Sequence, residues 1–177
     1  MTGPSSREGD RRRRFLLLLE LIDKLGDGRK TQIQKLVYFL EEEFPFSSSY
    51  RFRMHHYGPY SSELDDDLLS LKVEGYLSIA PDPGGYGFHV SKKEDAPVEW
   101  GRPGTQERRA IDQVIERFGK HEVSALELQA TIHYVCKSKG SSPAAVLPLV
   151  KQLKPKFPNS YIESTFNEMT DQGLLPR

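Results

Sequence analysis

Between residues 30 and 92 the spacing of apolar residues changes repeatedly, and this alternation restricts the fold more than any other feature of the chain. In "KTQIQKLVYFLEEE", residues 30–43, Ile33, Leu36, Val37 and Leu40 recur at i, i+3, i+4, i+7. That spacing predicts one apolar stripe on a helix. "YRFRMHHY", residues 50–57, then alternates. Tyr50, Phe52, Met54 and His56 take one face, and Arg51, Arg53, His55 and Tyr57 take the other. This predicts a half-buried strand with a basic outer face. "GPY" is expected to turn the chain: Gly58 allows a conformation that other residues avoid, and Pro59 fixes φ ahead of the next helix.

That next helix has Ser61 or Ser62 as its N-cap, buries Leu64, Leu68 and Leu71, and ends at Gly75. "YLSIA" reads as a short strand, "PDPGG" as a dense turn, and "YGFHVS" as the returning strand. Upstream, a helix from about Arg13 to Leu25 is closed by Gly26. Helix, helix, strand, helix and hairpin is the element order of a winged helix.

The remainder is expected to be helical. Residues 92–104, "KKEDAPVEWGRPG", read as a linker, with Trp100 packed onto a neighbouring domain. Ile111, Val114, Ile115 and Phe118 mark one helix. Ser124 with Glu127, and Ser160 with Glu163, have capping-box spacing at the start of two others. Between them Val146, Leu149, Val150 and Leu153 form a stripe interrupted by Pro148, where the helix must kink or begin late. The expected fold class is therefore mainly α with a small antiparallel sheet (α+β). It comprises a basic disordered tail (1–12), a winged-helix-like domain (13–91), a linker (92–104) and a helical domain (105–177). The exits "LKVEGYL" and "MTDQGLL" match one another, as expected either of a second winged-helix-like unit or of chance similarity between helix ends.

Charge narrows the function. Lysine plus arginine equals aspartate plus glutamate, 25 each, so only a local patch would attract a polyanion. The longest apolar run, Phe15–Leu19, is too short to span a bilayer, and the arginines before it read as a tail rather than a targeting signal. Cys136 is the single cysteine, which fits a reducing, cytoplasmic setting.

"KTQIQKLVYFL" followed by "FRMHHYGPYSSELDDDLLSLKVEGYL" resembles the YwgA-like bacterial and archaeal proteins and, more distantly, the SocA-like antitoxin (Panacea) domain. The matching positions are Gln34, Lys35, Leu36 and Tyr38 in the helix, and Tyr57, Gly58, Pro59, Tyr60 and Ser61 in the turn. "LELQATIHYV" with "LKPKF" extends the first resemblance into the second half. For the YwgA-like group the resemblance implies no known reaction. For the Panacea domain it implies an antitoxin or adaptor that neutralises a partner protein such as a toxin.

The residues themselves leave three functions open. In the helix after the turn, Glu63, Asp65, Asp66, Asp67 and Glu74 face only Lys72, a balance that opposes contact with DNA. Those carboxylates, with Tyr57, Gly58, Pro59 and Tyr60, are the candidate surface for capturing a protein. A transcriptional regulator would instead use Arg51 and Arg53, or Lys137, Lys139, Lys151, Lys154 and Lys156, since residues 128–162 contain no acid. An enzyme would centre on His55, His56 and the aspartates. Adjacent histidines on a strand point apart, however, and His133 with Cys136 supplies only two ligands, so no metal or other cofactor is expected. No nucleophile elbow or phosphate-binding glycine loop is present, and no reaction is expected.

Overall fold

A computed structural model describes residues 4–44, 50–96 and 101–176; Trp100 and most of "FPFSSS" lie outside them. The fold is mainly α with a small antiparallel sheet, and it divides into two compact units.

The first unit contains residues up to 52 and residues 61–120. Helix α1 is Pro4–Leu25, strand β1 Asp27–Arg29 and helix α2 Lys30–Glu43. Helix α3 is Ser62–Val73, strands β4 and β5 are Leu77–Pro81 and Phe88–Lys92, and helix α4 is Thr105–Phe118. Strands β2 (Arg53–His55) and β3 (Gly58–Tyr60) come between α2 and α3 in the chain but belong to the second unit. The sheet of the first unit runs β1-β5-β4 and is antiparallel throughout, with Val90 opposite both Gly28 and Ile79.

Residues 4–10 are helical, so the expected disordered tail is corrected from there onward. Three arginines of the run at its end have partners within the unit: Arg11 meets Glu74 at 2.7 Å, Arg13 meets Glu107 at 2.6 Å and Arg14 meets Asp67 at 2.6 Å. Those acids come from α3, the residue that closes it, and α4, and local reading of a basic run cannot see them. Strand β1, in "GDGR", is a second departure; three residues carry too little alternation to announce a strand.

Helix α2 is the centre of this unit. Every residue from Ile33 to Leu40 is buried, including Gln34 and Lys35, where a single stripe was expected. Burial on all sides marks a helix wrapped by others. One of the wrapping elements is α4, whose Phe118 stacks on Phe39 at 4.2 Å with planes 9° apart. Helix α4 therefore belongs with the first unit, not with the domain expected to begin at 105. Arg117 adds an ion pair to Glu43 at 2.7 Å.

The second unit holds the β2–β3 hairpin, with helices α5 (Val123–Lys139), α6 (Pro143–Leu153) and α7 (Asn159–Asp171). Gly58–Tyr60 is the return strand, not a turn; the turn is His56–Tyr57. Gly58 follows it at φ +88°, a conformation glycine adopts without strain. Strand β3 packs on α5, which also carries α6 and α7. Neither capping box forms. Helix α5 begins at Val123, two residues early, and α7 begins at Asn159, so Ser124 and Ser160 lie inside their helices. Helix α6 starts at Pro143 and continues through Pro148, correcting the late start.

Replacing Phe118 with Ala removes a stacked ring from a closed site. Urea unfolding should report a loss of about 3–5 kcal/mol, while an exposed α4 change such as Gln113→Ala should leave the midpoint within about 0.5 kcal/mol.

Candidate functional site

Helix α3 starts where Ser61, in extended backbone, accepts the Leu64 N–H on its hydroxyl at 3.3 Å. Gln34 fixes that point. Its amide nitrogen donates to the Ser61 carbonyl at 2.9 Å, and its oxygen accepts the Ser61 N–H at 3.0 Å. Both backbone groups of a fully buried residue are thereby satisfied by one side chain. Gln34, Lys35, Leu36 and Tyr38, the residues of the resemblance in α2, are all buried. They work in the core.

Leu64, Leu68 and Leu71 turn inward as expected, and Asp67 turns with them. Asp67 accepts from Arg14 Nε at 2.6 Å and Nη2 at 3.3 Å, and from the Tyr50 hydroxyl at 2.7 Å. Burial raises the Tyr50 phenol far above its ordinary range, and the neighbouring Asp67 charge raises it further, so it stays a donor. Arg14 is raised by its hydrogen bonds to Asp67 and remains a cation. Asp67 is thus committed to structure and is not part of an outward acidic face. Asp65 pairs with Lys30 at 2.6 Å, Glu74 pairs with Arg11, and Glu63 accepts from the Ser61 hydroxyl at 2.9 Å.

Asp66 is exposed, and the residues that follow it at i+3 and i+7 are apolar. Leu69 is 56% exposed and Val73 is 79% exposed. The outward stripe of α3 is therefore one aspartate and two aliphatic side chains. These two lie off the Leu64–Leu68–Leu71 stripe, and that offset was the available signal in the sequence.

Tyr57, Gly58, Pro59 and Tyr60 belong to the second unit, separate from the α3 acids of the first. Gly58 and Pro59 are buried; His55, His56 and Tyr57 are exposed. His55 lies 5.3 Å from the Tyr60 ring, and His56 meets Tyr57 edge-on at 4.8 Å. Beneath the hairpin is a buried charge cluster. Glu127 pairs with Lys154 at 2.8 Å and with Lys156 at 2.7 Å, and the Lys154 ammonium also donates to the His56 carbonyl. The expected capping acid is thus neutralised by two lysines from beyond α6.

Of the lysines considered for phosphate contact, Lys154 is only 2% exposed and is corrected to a structural role. Lys151 donates to the Pro155 carbonyl at 3.1 Å and the Phe157 carbonyl at 2.7 Å. Lys137, Lys139 and Lys156 are exposed, as are Arg51 and Arg53.

Among the described residues, no group of three His, Cys, Asp or Glu side chains is arranged to hold a metal ion. His133 and Cys136 are both buried, and burial pushes the Cys136 thiol up. Among the same residues no helix is long and apolar enough to cross a membrane. Comparison with protein-family models matches no family, and comparison with curated proteins matches no relative.

Asp67→Ala should cost about 3–5 kcal/mol, because Arg14 and Tyr50 lose their acceptor, whereas Asp66→Ala should stay within about 0.5 kcal/mol; thermal melts of the two variants side by side check this. Cys136 should react with a disulfide dye at pH 8 only after denaturation, with negligible reaction in the folded protein, as followed by absorbance.

Proposed function

We propose that this protein is a protein-interaction module that captures a partner protein through the outward stripe of α3. It does so in the way an antitoxin or adaptor neutralises its target, and it catalyses no reaction. The observation that carries this reading is the exposure of Leu69 and Val73 one turn apart, beside Asp66, on a helix whose inner face is fully packed. Apolar side chains at helical spacing in a polar rim suit the apolar side chains of another protein.

The order α1, β1, α2, α3, β4, β5 and the sheet order β1-β5-β4 support reading the first unit as a winged helix. On that reading α3 takes the place of a recognition helix. Lys72 is its one exposed cation, outweighed by the exposed Glu63 and Asp66, and the tip between β4 and β5, "DPGGYG", carries no cation. Both features weigh against duplex DNA. The antitoxin character rests on the resemblance in "KTQIQKLVYFL" and "YGPYS", and the toxin as partner is part of that proposal.

The full-length protein and a Leu69→Glu/Val73→Glu variant, each immobilised, are exposed to lysate from the encoding cells, and retained proteins are quantified by mass spectrometry. One protein retained stoichiometrically by the wild type and depleted about tenfold or more by the variant is expected. The same retained set on both surfaces would rule out α3 as the capturing face. In gel shift, duplex DNA should show no complex below about 10 µM protein at 0.1 M salt.

A further inference from the structure

We propose that the turn of the β2–β3 hairpin, with the Lys156–Tyr161 segment, binds a single-stranded polynucleotide by stacking bases on Tyr57 and Tyr161 and pairing a phosphate with Lys156. This surface uses none of the α3 residues, so it stands apart from the protein-capture reading.

The rings form a continuous row. His56 touches Tyr57 at 4.8 Å. The Lys156 ammonium lies 5.7 Å from the Tyr57 ring centre and 4.9 Å from that of Phe157. Phe157 in turn lies 5.8 Å from Tyr161. Phe157 is buried and anchors the row, while Tyr57 is 54% and Tyr161 39% exposed. Large rings are left in water on either side of a cation that is itself held in place by Glu127. Exposed π-faces with an interleaved cation are what single strands bind, because every base has a face to stack and every linkage has a charge to neutralise.

The surroundings favour a polyanion. Residues 53–60 and 128–162 carry Arg53, Lys137, Lys139, Lys151, Lys154 and Lys156 and no acid. Glu127 is already neutralised by Lys154 and Lys156. The acid nearest in sequence, Glu163, follows Tyr161 by two residues on α7, which places it on the opposite side of that helix. It lines a separate cleft with Leu147, Pro148, Lys151 and Ile162. A duplex fits poorly, since paired bases cannot present their faces to Tyr57 and Tyr161.

Fluorescence anisotropy with the full-length protein tests this, using labelled oligo(dT), oligo(rU) and a mixed duplex, each about 12 units long, at low salt. Binding of at least one single strand is expected, tighter than the duplex and weakening as salt rises; the ratio of rU to dT assigns the sugar. Tyr57→Ala and Lys156→Ala should each weaken it about tenfold with unchanged circular dichroism, and Tyr57→Phe, which keeps the ring, should bind like the wild type. Absence of single-strand binding, equal binding of duplex, indifference to both alanine variants, or loss in Tyr57→Phe would overturn the proposal. So would displacement of the oligonucleotide by polyglutamate at equal charge, because the surface would then read charge alone.

Discussion

A carboxylate turned inward sets the rotation of α3 about its own axis. Asp67 can satisfy Arg14 and Tyr50 only if the Leu64–Leu68–Leu71 side faces the core. Once that side is fixed, 3.6 residues per turn dictate that Asp66, Leu69 and Val73 face water. An unpaired charge in that position would be costly, so slippage of the helix by one residue is strongly opposed. Gln34 holds the same helix from its other end by binding both backbone groups of Ser61. Position and rotation are thus set by two polar side chains, while the leucines supply most of the apolar contact.

Much of the first unit was readable because its elements announce themselves locally. The stripe of α2, the serine cap of α3, the apolar run "YLSIA" and the turn "PDPGG" depend on neighbours within a few residues, and each element appears where it was expected. The failures that matter for the candidate surfaces are non-local. Asp67 carries the same charge as Asp66, yet one is buried and the other exposed; the difference comes from Arg14, 53 residues away. The capping spacing of Ser124 and Glu127 was sound chemistry, but two lysines nearly thirty residues downstream claimed the glutamate.

The same reasoning explains the candidate surfaces. Reading charges along α3 produced an acidic face, because a count of carboxylates does not reveal which are already paired. Leu69 and Val73 were discernible as residues off the apolar stripe. The row from His56 to Tyr161 carries no local signal, since Tyr57 and Lys156 are 99 positions apart and meet only in the folded second unit. The residues of the "YGPYS" motif divide likewise: Gly58, Pro59 and Ser61 are buried and serve the backbone, while Tyr57 is left in water.

The hairpin's membership of the second unit also bears on synthesis. Residues 53–60 leave the ribosome well before the α5 helix on which β3 packs, which ends 79 residues after Tyr60. At roughly 5–20 residues per second, that is a wait of about 4–16 s. A lone two-stranded hairpin is at best marginally stable in water. During that interval Pro59 and Tyr60 are without their packing partner. The nascent chain therefore carries a short hairpin without its packing partner until α5 emerges.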